Sequence, residues 1–364
     1  MTILAVLAVG CAKVQGPAGG VDNGTEEWSA LTGANPIRFG SSLADPVTKT
    51  TSLPSNVSFG VFAFYQPGDV ENGIPGAWGD GSTWTPNFMY DQEVEFDGTD
   101  YTYAPVKYWP NNEENTITFW AYYPYDDAGI DRFRVYNSAT TYSNTSHNVP
   151  DIQYTTDGHT DFLVSDIEAN QHHRDEGDPN LPNNPDATVH FTFHHAMSLI
   201  SFKVQKQDPS DNFEMVLKTI RLDNIYFSGV HNQELGWIAR LGDRGSLTAF
   251  TGDPLDPLVL HHPDGVDPAL DPVEVPQVGD DPVIPLPQYL RFTSATLYVE
   301  YTLQRGGGSP VAYECEVEIG EVTHEWERDK HYTYNITINP GNPILFTADV
   351  VVWGAEQTAY YTFE

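Results

Sequence analysis

Short runs of alternating apolar and polar residues recur along most of the chain. Ile37 and Phe39 fall on one side of a short run that begins at Pro36, and longer apolar runs of strand length cover Val57–Tyr65 and Thr116–Pro124. Alternation with a period of two is typical of half-buried β-strands, and no segment shows the 3.6-residue period of a long helix. The pattern therefore predicts an all-β fold.

A β-hairpin is predicted where two such runs are separated by a turn signal. Phe88–Phe96 and Tyr101–Trp109 flank Asp97 and Gly98. The Asp-Gly pair tolerates the positive φ angles of a tight turn. We therefore expect the two runs to pair as antiparallel strands.

The chain is long enough for two domains, because 364 residues exceed one ordinary core and domains usually hold about 100 to 200 residues. The run Val189–Val204 is expected to carry the chain from one domain to the next, with the switch near residue 195. This predicts an N-terminal β-domain over 35–195 and a C-terminal β-domain over 196–364. The strands expected in the second are Lys218–Phe227, Gly236–Leu241, Ser294–Leu303, Val311–Ile319 and His331–Ile338.

The stretch Asp253–Pro287 is dominated by Asp and Pro. Because Pro removes backbone donors, we expect this stretch to run over the surface or along a sheet edge. Its aspartates are not spaced as in an EF-hand loop, so the spacing does not favour a calcium site.

The last strand-like segment has one uniformly apolar face. It follows the turn at Asn339-Pro-Gly and ends at Trp353. Side chains two residues apart share a face of a strand. The residues on this face are Ile344, Phe346, Ala348, Val350 and Val352.

Composition permits a large core and excludes one class of partner. Hydrophobic residues make up 40% and aromatic residues 13% of the chain, so disorder over most of its length is not expected. The 51 acidic and 17 basic residues give a net charge of −34. Such a charge repels nucleic acid and anionic membrane surfaces. We therefore predict no nucleic-acid partner.

The first ten residues resemble the end of a bacterial lipoprotein signal. Met1–Gly10 is apolar, is too short to span a membrane and ends directly before Cys11. In such proteins the peptide is cut before the cysteine, whose thiol carries the lipid, so 1–10 would be a signal remnant and 11–34 a tether. Membrane contact is then expected only through the lipid on Cys11. No Lys or Arg precedes the apolar run, so we expect the natural start to lie upstream. The alternative is a buried N-terminal strand with an incidental cysteine.

The motifs of common catalytic and metal sites are absent. The chain has no glycine-rich phosphate loop, no zinc-binding spacing and no Gly-x-Ser-x-Gly elbow. The adjacent histidines His194 and His195 point to opposite faces of a strand and form no ready chelate. With 51 carboxylates, no single pair identifies a glycosidase. We predict a protein that is not an enzyme and needs no metal or organic cofactor.

Two tryptophans are candidates for sugar binding. Trp78 and Trp84 lie in the glycine-rich loop Gly73–Pro86 and could stack on sugar rings. Packing within the core or the loop is the other interpretation of the same residues.

Taken in order, eight short motifs resemble the fimbrillin families of Bacteroidales, particularly the minor-fimbria or fimbrillin-like group. Each motif alone is weak, but together they span nearly the whole chain after the tether. The motifs are Pro36–Phe39, Phe59–Tyr65, Asn87–Tyr90, Tyr103–Pro110, Thr118–Pro124, Asp161–Leu163, Phe193–Met197 and Tyr332–Ile338.

The resemblance implies two β-sandwich domains of transthyretin-like topology in tandem. It also implies export as a lipoprotein to the outer membrane, and polymerisation by strand exchange after a trypsin-like protease removes the first strand. That strand would be Pro36–Gly40, and the candidate cleavage residues are Arg38 within it and Lys49 in the following loop. The family usually carries Arg in that loop, so Lys49 departs from its pattern.

The resemblance further implies that a C-terminal strand fills the vacated groove of a neighbouring subunit. The face from Ile344 to Val352 has the required alternation. Alternatively, this strand closes its own domain with Trp353 in the core, and Tyr360–Phe363 or another segment is donated.

On this basis we expect a stalk or tip subunit of a cell-surface fimbria. Its partners would be like or related subunits and a glycan or protein on a host or bacterial surface. The alternative is a monomeric surface lipoprotein that binds glycans through Trp78 and Trp84. A third interpretation, an acidic secreted hydrolase, rests on the abundance of carboxylates alone.

Overall fold

The fold is almost entirely β-sheet, as the alternation predicts. The computed structural model describes residues 36–44, 58–66, 86–110, 115–125, 151–172, 188–206, 213–233, 235–254, 257–261, 275, 282–338 and 345–353, together with the backbone of short strands at 68–69, 74–75, 130–134 and 273–274. Within this part of the chain, no helix is long and apolar enough to cross a membrane.

The strands follow one another with few helical interruptions. In the first half they are β1 (Arg38–Leu43), β2 (Phe59–Gln66), β3 (Gly68–Asp69), β4 (Ile74–Pro75), β5 (Met89–Phe96), β6 (Tyr101–Thr102), β7 (Thr116–Tyr123), β8 (Ile130–Arg134), β9 (Asp151–Thr155), β10 (Leu163–Ser165), β11 (Glu168–Gln171) and β12 (Thr188–His195).

The second half contains the longer strands. They are β13 (Ser198–Lys206), β14 (Phe213–Asn232), β15 (Gly236–Thr251), β16 (Leu258–His261), β17 (Val273–Glu274), β18 (Gln288–Tyr289), β19 (Thr296–Arg305), β20 (Val311–Glu318), β21 (Glu325–Trp326), β22 (Lys330–Ile338) and β23 (Leu345–Val352), with a one-turn helix α1 (Leu290–Thr293) and a 3₁₀ turn (Ile319–Glu321).

Most strands of the first half form one eight-stranded sheet in the order β1-β12-β10-β7-β2-β5-β6, with β11 also paired to β7. All neighbouring strands in this sheet are antiparallel except β1 and β12, which run parallel. The two ends of the sheet approach each other, since the hydroxyl of Ser41 on β1 hydrogen-bonds the phenol of Tyr101 on β6. The sheet therefore curls around its apolar face.

Aromatic rings fill the space that the curled sheet encloses. We call this the first core, and it holds Phe39, Phe59, Phe119, Phe191 and Phe193, all at most 5% exposed. They come from strands β1, β2, β7 and β12, at positions two apart wherever one strand supplies more than one ring. The period-two alternation in the sequence thus places them on one face.

The second half forms a sandwich of two sheets. A four-stranded sheet in the order β17-β13-β22-β23 faces a seven-stranded sheet in which β20-β19-β14-β9-β8 form the main path. Phe202 on β13 and Tyr334 on β22 pack with Leu217 on β14 and Val299 on β19 in their shared core. Burial of such alternating apolar faces against each other is the main driving force for this arrangement.

The chain passes between the two halves at Ala196 and Met197, which separate β12 from β13. However, β8 and β9 belong to the first half by residue number and yet pair within the seven-stranded sheet, where β9 lies beside β14. The division into 35–195 and 196–364, and the tandem transthyretin-like topology, stay predictions.

A further apolar group, which we call the junction cluster, contains Phe62, Trp120, Tyr154, Phe162, Met197 and Leu286.

The structure corrects one local expectation and decides between the alternatives of another. The predicted strand at Tyr101–Trp109 pairs with β5 only over Tyr101 and Thr102, across a turn with Gly98 at φ +100°. The end of the Asp/Pro-rich stretch does run along a sheet edge, where the Ile200 amide donates to Val283 O at 2.9 Å. Of the two expected locations this end takes the sheet edge, and its apolar residues Val283, Ile284 and Leu286 are at most 2% exposed.

Candidate functional site

The first strand lies at one end of the eight-stranded sheet. Along Arg38–Leu43 it pairs in parallel with β12, so that Phe39 lies opposite Val189 and Ser41 opposite Phe191. In the described part of the chain, β12 is the only strand paired with β1. An edge strand can leave by breaking one ladder rather than two.

Apolar side chains of and next to β1 pack into the first core. Ile37 is 1% and Phe39 5% exposed. The ring of Phe39 stacks on Phe191 at 5.6 Å between centroids, and edge contacts join it to Phe59 and Phe119 at 6.5 and 6.0 Å. Burial of these two large apolar side chains stabilises the attachment of β1 to the first core by about 3 to 6 kcal/mol.

The start of β1 is also held on its other side, by the irregular segment after β6. The amide of Ile37 donates to the carbonyl of Lys107 at 2.9 Å, and the phenol of Tyr103 donates to the carbonyl of Ile37 at 2.9 Å. Burial raises the pKa of Tyr103 to about 12, so this phenol keeps its proton at neutral pH. The strand therefore sits in a groove between β12 and residues 103–108.

Loss of β1 would expose both a backbone edge and an apolar groove. The outer edge of β12 would lose its partner along Thr188–Phe193, and the rings of Phe59, Phe119 and Phe191 would lose their cover. Buried apolar area and unpaired backbone groups are both satisfied by an added strand with alternating apolar residues. The groove beside β12 thus has the geometry that an added extended segment would require.

The C-terminal strand β23 is an edge strand of the four-stranded sheet. It pairs antiparallel with β22, from Leu345 opposite Thr337 to Val352 opposite Lys330. Phe346 stacks on Tyr334 at 5.0 Å, and Ala348 is 5% exposed. In this structure β23 closes its own sheet. Its core-facing residues among the donor candidates are Phe346, Ala348 and Val350.

The end of β23 is fixed by a contact that the sequence did not reveal. Trp353 stacks on His195 at 3.9 Å with the planes 5° apart, and its amide donates to the carbonyl of Asp329 at 3.0 Å. Nδ1 of His195 lies 2.5 Å from Oδ2 of Asp161. Burial raises the pKa of Asp161, and the hydrogen bond with His195 opposes that shift. The adjacent His194 points away and lies 3.1 Å from Asp166.

Several sequence-predicted site residues lie outside the described residues: Cys11, Lys49, Trp78, Trp84 and Ile344. Arg38 is described, and its side chain is exposed on β1 opposite Thr188. Arg38 thus lies within the paired strand β1, and the role of either Arg38 or Lys49 in cleavage stays a prediction. Within the described part of the chain, no group of three or more His, Cys, Asp or Glu residues could hold a metal ion.

Comparison with known proteins identifies the family. The family model described as Fimbrillin-like matches residues 48–353, which is more than half of the 364 residues. The chain belongs to the fimbrillin-like family. The fold and the resemblance found in the sequence agree with this assignment.

Two relatives show how far the similarity extends. The fimbrium subunit Fim1C of Phocaeicola vulgatus is 28% identical over 166 residues, a match that covers 42% of this chain and 38% of that protein. A solved fimbrial protein from Bacteroides vulgatus ATCC 8482 is 17% identical with a TM-score of 0.64, over 87% of this chain and 99% of that chain. The second comparison shows a shared fold.

Proposed function

We propose that this protein is a stalk or tip subunit of a cell-surface fimbria that assembles by strand exchange. The observation that carries the proposal is the position of β1, which lies at a sheet edge and buries Phe39 in the first core. Membership of the fimbrillin-like family and the similarity to a fimbrium subunit support it.

In this proposal, cleavage in the loop after β1 releases that strand and opens the groove beside β12. An extended segment of a like or related subunit then enters, with every second side chain in the first core. Lys49 lies in that loop. Cleavage at Arg38 would first require the hydrogen bonds of β1 to break, since Arg38 is within the paired strand.

The donated segment is either β23 or the residues after it. Donation of β23 would separate Phe346 from Tyr334 and break a continuous ladder with β22. Donation of residues 354–364 would leave that ladder intact. The second route keeps β23 paired with β22, and Tyr360–Phe363 supplies apolar side chains for it.

The remaining parts of the proposal concern location and partners. Lipidation of Cys11 would hold the exported subunit at the outer membrane before assembly. The distal partner would be a glycan or protein on a host or bacterial surface. The protein would have a structural and adhesive role with no catalytic step and no cofactor.

The test is assembly that depends on release of β1. A site for a specific protease is placed within 45–57, and in a matched control it is placed in the Gly306–Gly308 turn between β19 and β20. Cleavage at the first position should yield filaments in electron micrographs, and cleavage at the second should not. The proposal would be refuted if the variant cleaved within 45–57 lost β1, stayed monomeric and bound glycans on an array. That result would favour a monomeric glycan-binding lipoprotein.

A further inference from the structure

Strand β20 forms one end of the seven-stranded sheet, whereas β1 and β23 belong to the other two large sheets. In the described part of the chain β20 pairs only with β19, in a ladder without register shifts from Val311 opposite Leu303 to Glu318 opposite Thr296. Exposed edges of folded proteins are usually blunted by bulges, by a very short strand, by Pro, by charged side chains or by a covering element, and of these devices β20 shows the charged side chains of its glutamates. This edge is regular over eight residues.

One face of β20 is apolar and only partly covered. Val311, Tyr313, Cys315 and Val317 alternate along the strand, and we call them the apolar strip. Val311 is 54% and Tyr313 41% exposed, whereas their register partners on β19, Leu303 and Tyr301, are each 5% exposed. The rings of Tyr313 and Tyr301 stack at 5.5 Å. The sheet therefore extends beyond the core that covers β19.

The opposite face of β20 is acidic. Glu314, Glu316 and Glu318 lie there, and we call them the acidic strip; Glu300 of β19 stands beside Glu314 in register. Arg221 approaches this face over the ring of Tyr298 at 4.3 Å. Its guanidinium is already bound by Asp223 at 2.8 and 2.9 Å and also attracts Glu316, so it offsets only part of the negative charge of the acidic strip.

We propose that β20 is a docking edge for an extended peptide segment of a partner protein in which apolar residues alternate with Lys or Arg. A strand added beside β20 points its side chains alternately to the same two faces. Apolar side chains would then cover the apolar strip, and basic side chains would lie beside the acidic strip. Pairing with β20 of a second copy is opposed, because it would bring glutamates together between chains of net charge −34.

The proposal is tested with a labelled eight-residue peptide of alternating Lys and Val, matched to the length of β20. Two control peptides alternate Glu and Val or carry the Lys and Val residues in two separate blocks. Fluorescence anisotropy with the full chain should show the alternating Lys peptide binding about tenfold more tightly than either control. Hydrogen exchange should slow in 311–318 when it binds.

Matched variants locate the binding. Val311→Lys should weaken binding of the alternating Lys peptide about tenfold, while Leu345→Lys, which replaces a residue of nearly equal exposure on the edge strand β23, should not change it. A double substitution, Glu314→Lys with Glu318→Lys, should reverse the preference towards the Glu peptide without placing Lys beside Arg221.

Three results would overturn the proposal. Equal binding of the alternating and block peptides would show attraction to the acidic surface in general. Equal weakening by Val311→Lys and Leu345→Lys would place the binding elsewhere. A dimer in sedimentation that Val311→Lys abolishes would assign the edge to a second copy instead. The Val311→Lys variant should still assemble after release of β1, so this outcome and that of the assembly experiment are independent.

Discussion

Phe39 stacks on Phe191, with ring centroids 5.6 Å apart and planes 19° apart, although the two residues are separated by most of the first half of the chain. This contact joins β1 to the first core. Replacement of Phe39 by Ala should lower the free energy of unfolding of the intact subunit by about 3 to 5 kcal/mol, because it leaves a cavity among aromatic rings.

Denaturant unfolding measures this loss. The control is Arg38→Ala, which removes an exposed side chain from the same strand and should change stability by less than about 0.5 kcal/mol. Similar losses in the two variants would mean that β1 is not held through its apolar face.

The ring of His195 stacks on Trp353, and its Nδ1 faces Asp161. His195→Ala should destabilise the protein by about 1 to 3 kcal/mol, since the buried Asp161 carboxyl loses its partner. His194→Ala removes the neighbouring, outward-facing histidine and should cost less than about 1 kcal/mol. If both variants unfold at the same denaturant concentration, the buried contact does not secure the end of β23.

Asp151 should make stability depend on pH. It is 1% exposed, burial raises the pKa of its carboxyl to about 6, and a hydrogen bond from Asn232 at 2.6 Å opposes that shift. A pKa raised above the unfolded value of about 3.9 favours the folded state at low pH, and this contribution disappears as pH rises through about 6.

Asp151→Asn mimics the protonated carboxyl at every pH. The melting temperature of this variant relative to the unchanged protein should therefore increase between about pH 4 and pH 7. His231, which lies opposite Ile152, has a pKa lowered by burial to about 3 and is present in both proteins. A difference that is constant with pH would exclude Asp151 as the titrating group.

Two variants distinguish the possible donor segments. Deletion of residues 354–364 should abolish assembly if those residues are donated and leave it intact if β23 is donated. The double substitution Phe346→Asp with Val350→Asp should abolish assembly in a folded monomer if β23 is donated. Failure of that variant to fold would instead identify β23 as a permanent strand of its own sheet, because Phe346 and Val350 pack against the second-half core.

The local sequence pattern predicted many of the strands, but it did not predict contacts between residues that are distant in the sequence. Apolar runs of strand length predict β2 and β7, and the Asp97-Gly98 signal predicts the hairpin between β5 and β6, because these features depend on neighbours in sequence. The parallel pairing of β1 with β12 joins residues 150 positions apart, Arg38 with Thr188. No local period encodes such a pairing.

The same limit applies to the candidate site. The sequence placed Ile37 and Phe39 on one face, and the structure shows the groove that receives them. The approach of Asp161 and His195 to Trp353 depends on three distant segments and left no spacing signal. Proline content suggested a path over the surface or along a sheet edge for Asp253–Pro287. The described end follows the edge beside β13, but the local pattern did not show that Val283, Ile284 and Leu286 are buried there.

Hydrogen exchange of β12 tests the central claim most directly, because Thr188–Thr192 lies beside β1 whereas β10 reaches only Phe193–His195. Those amides in 188–192 that point towards β1 should be protected in the intact subunit, should exchange rapidly once β1 is cut free, and should regain protection in assembled filaments. Filaments in which 188–192 still exchange as fast as in the cleaved monomer would contradict the claim that a neighbouring subunit's strand replaces β1.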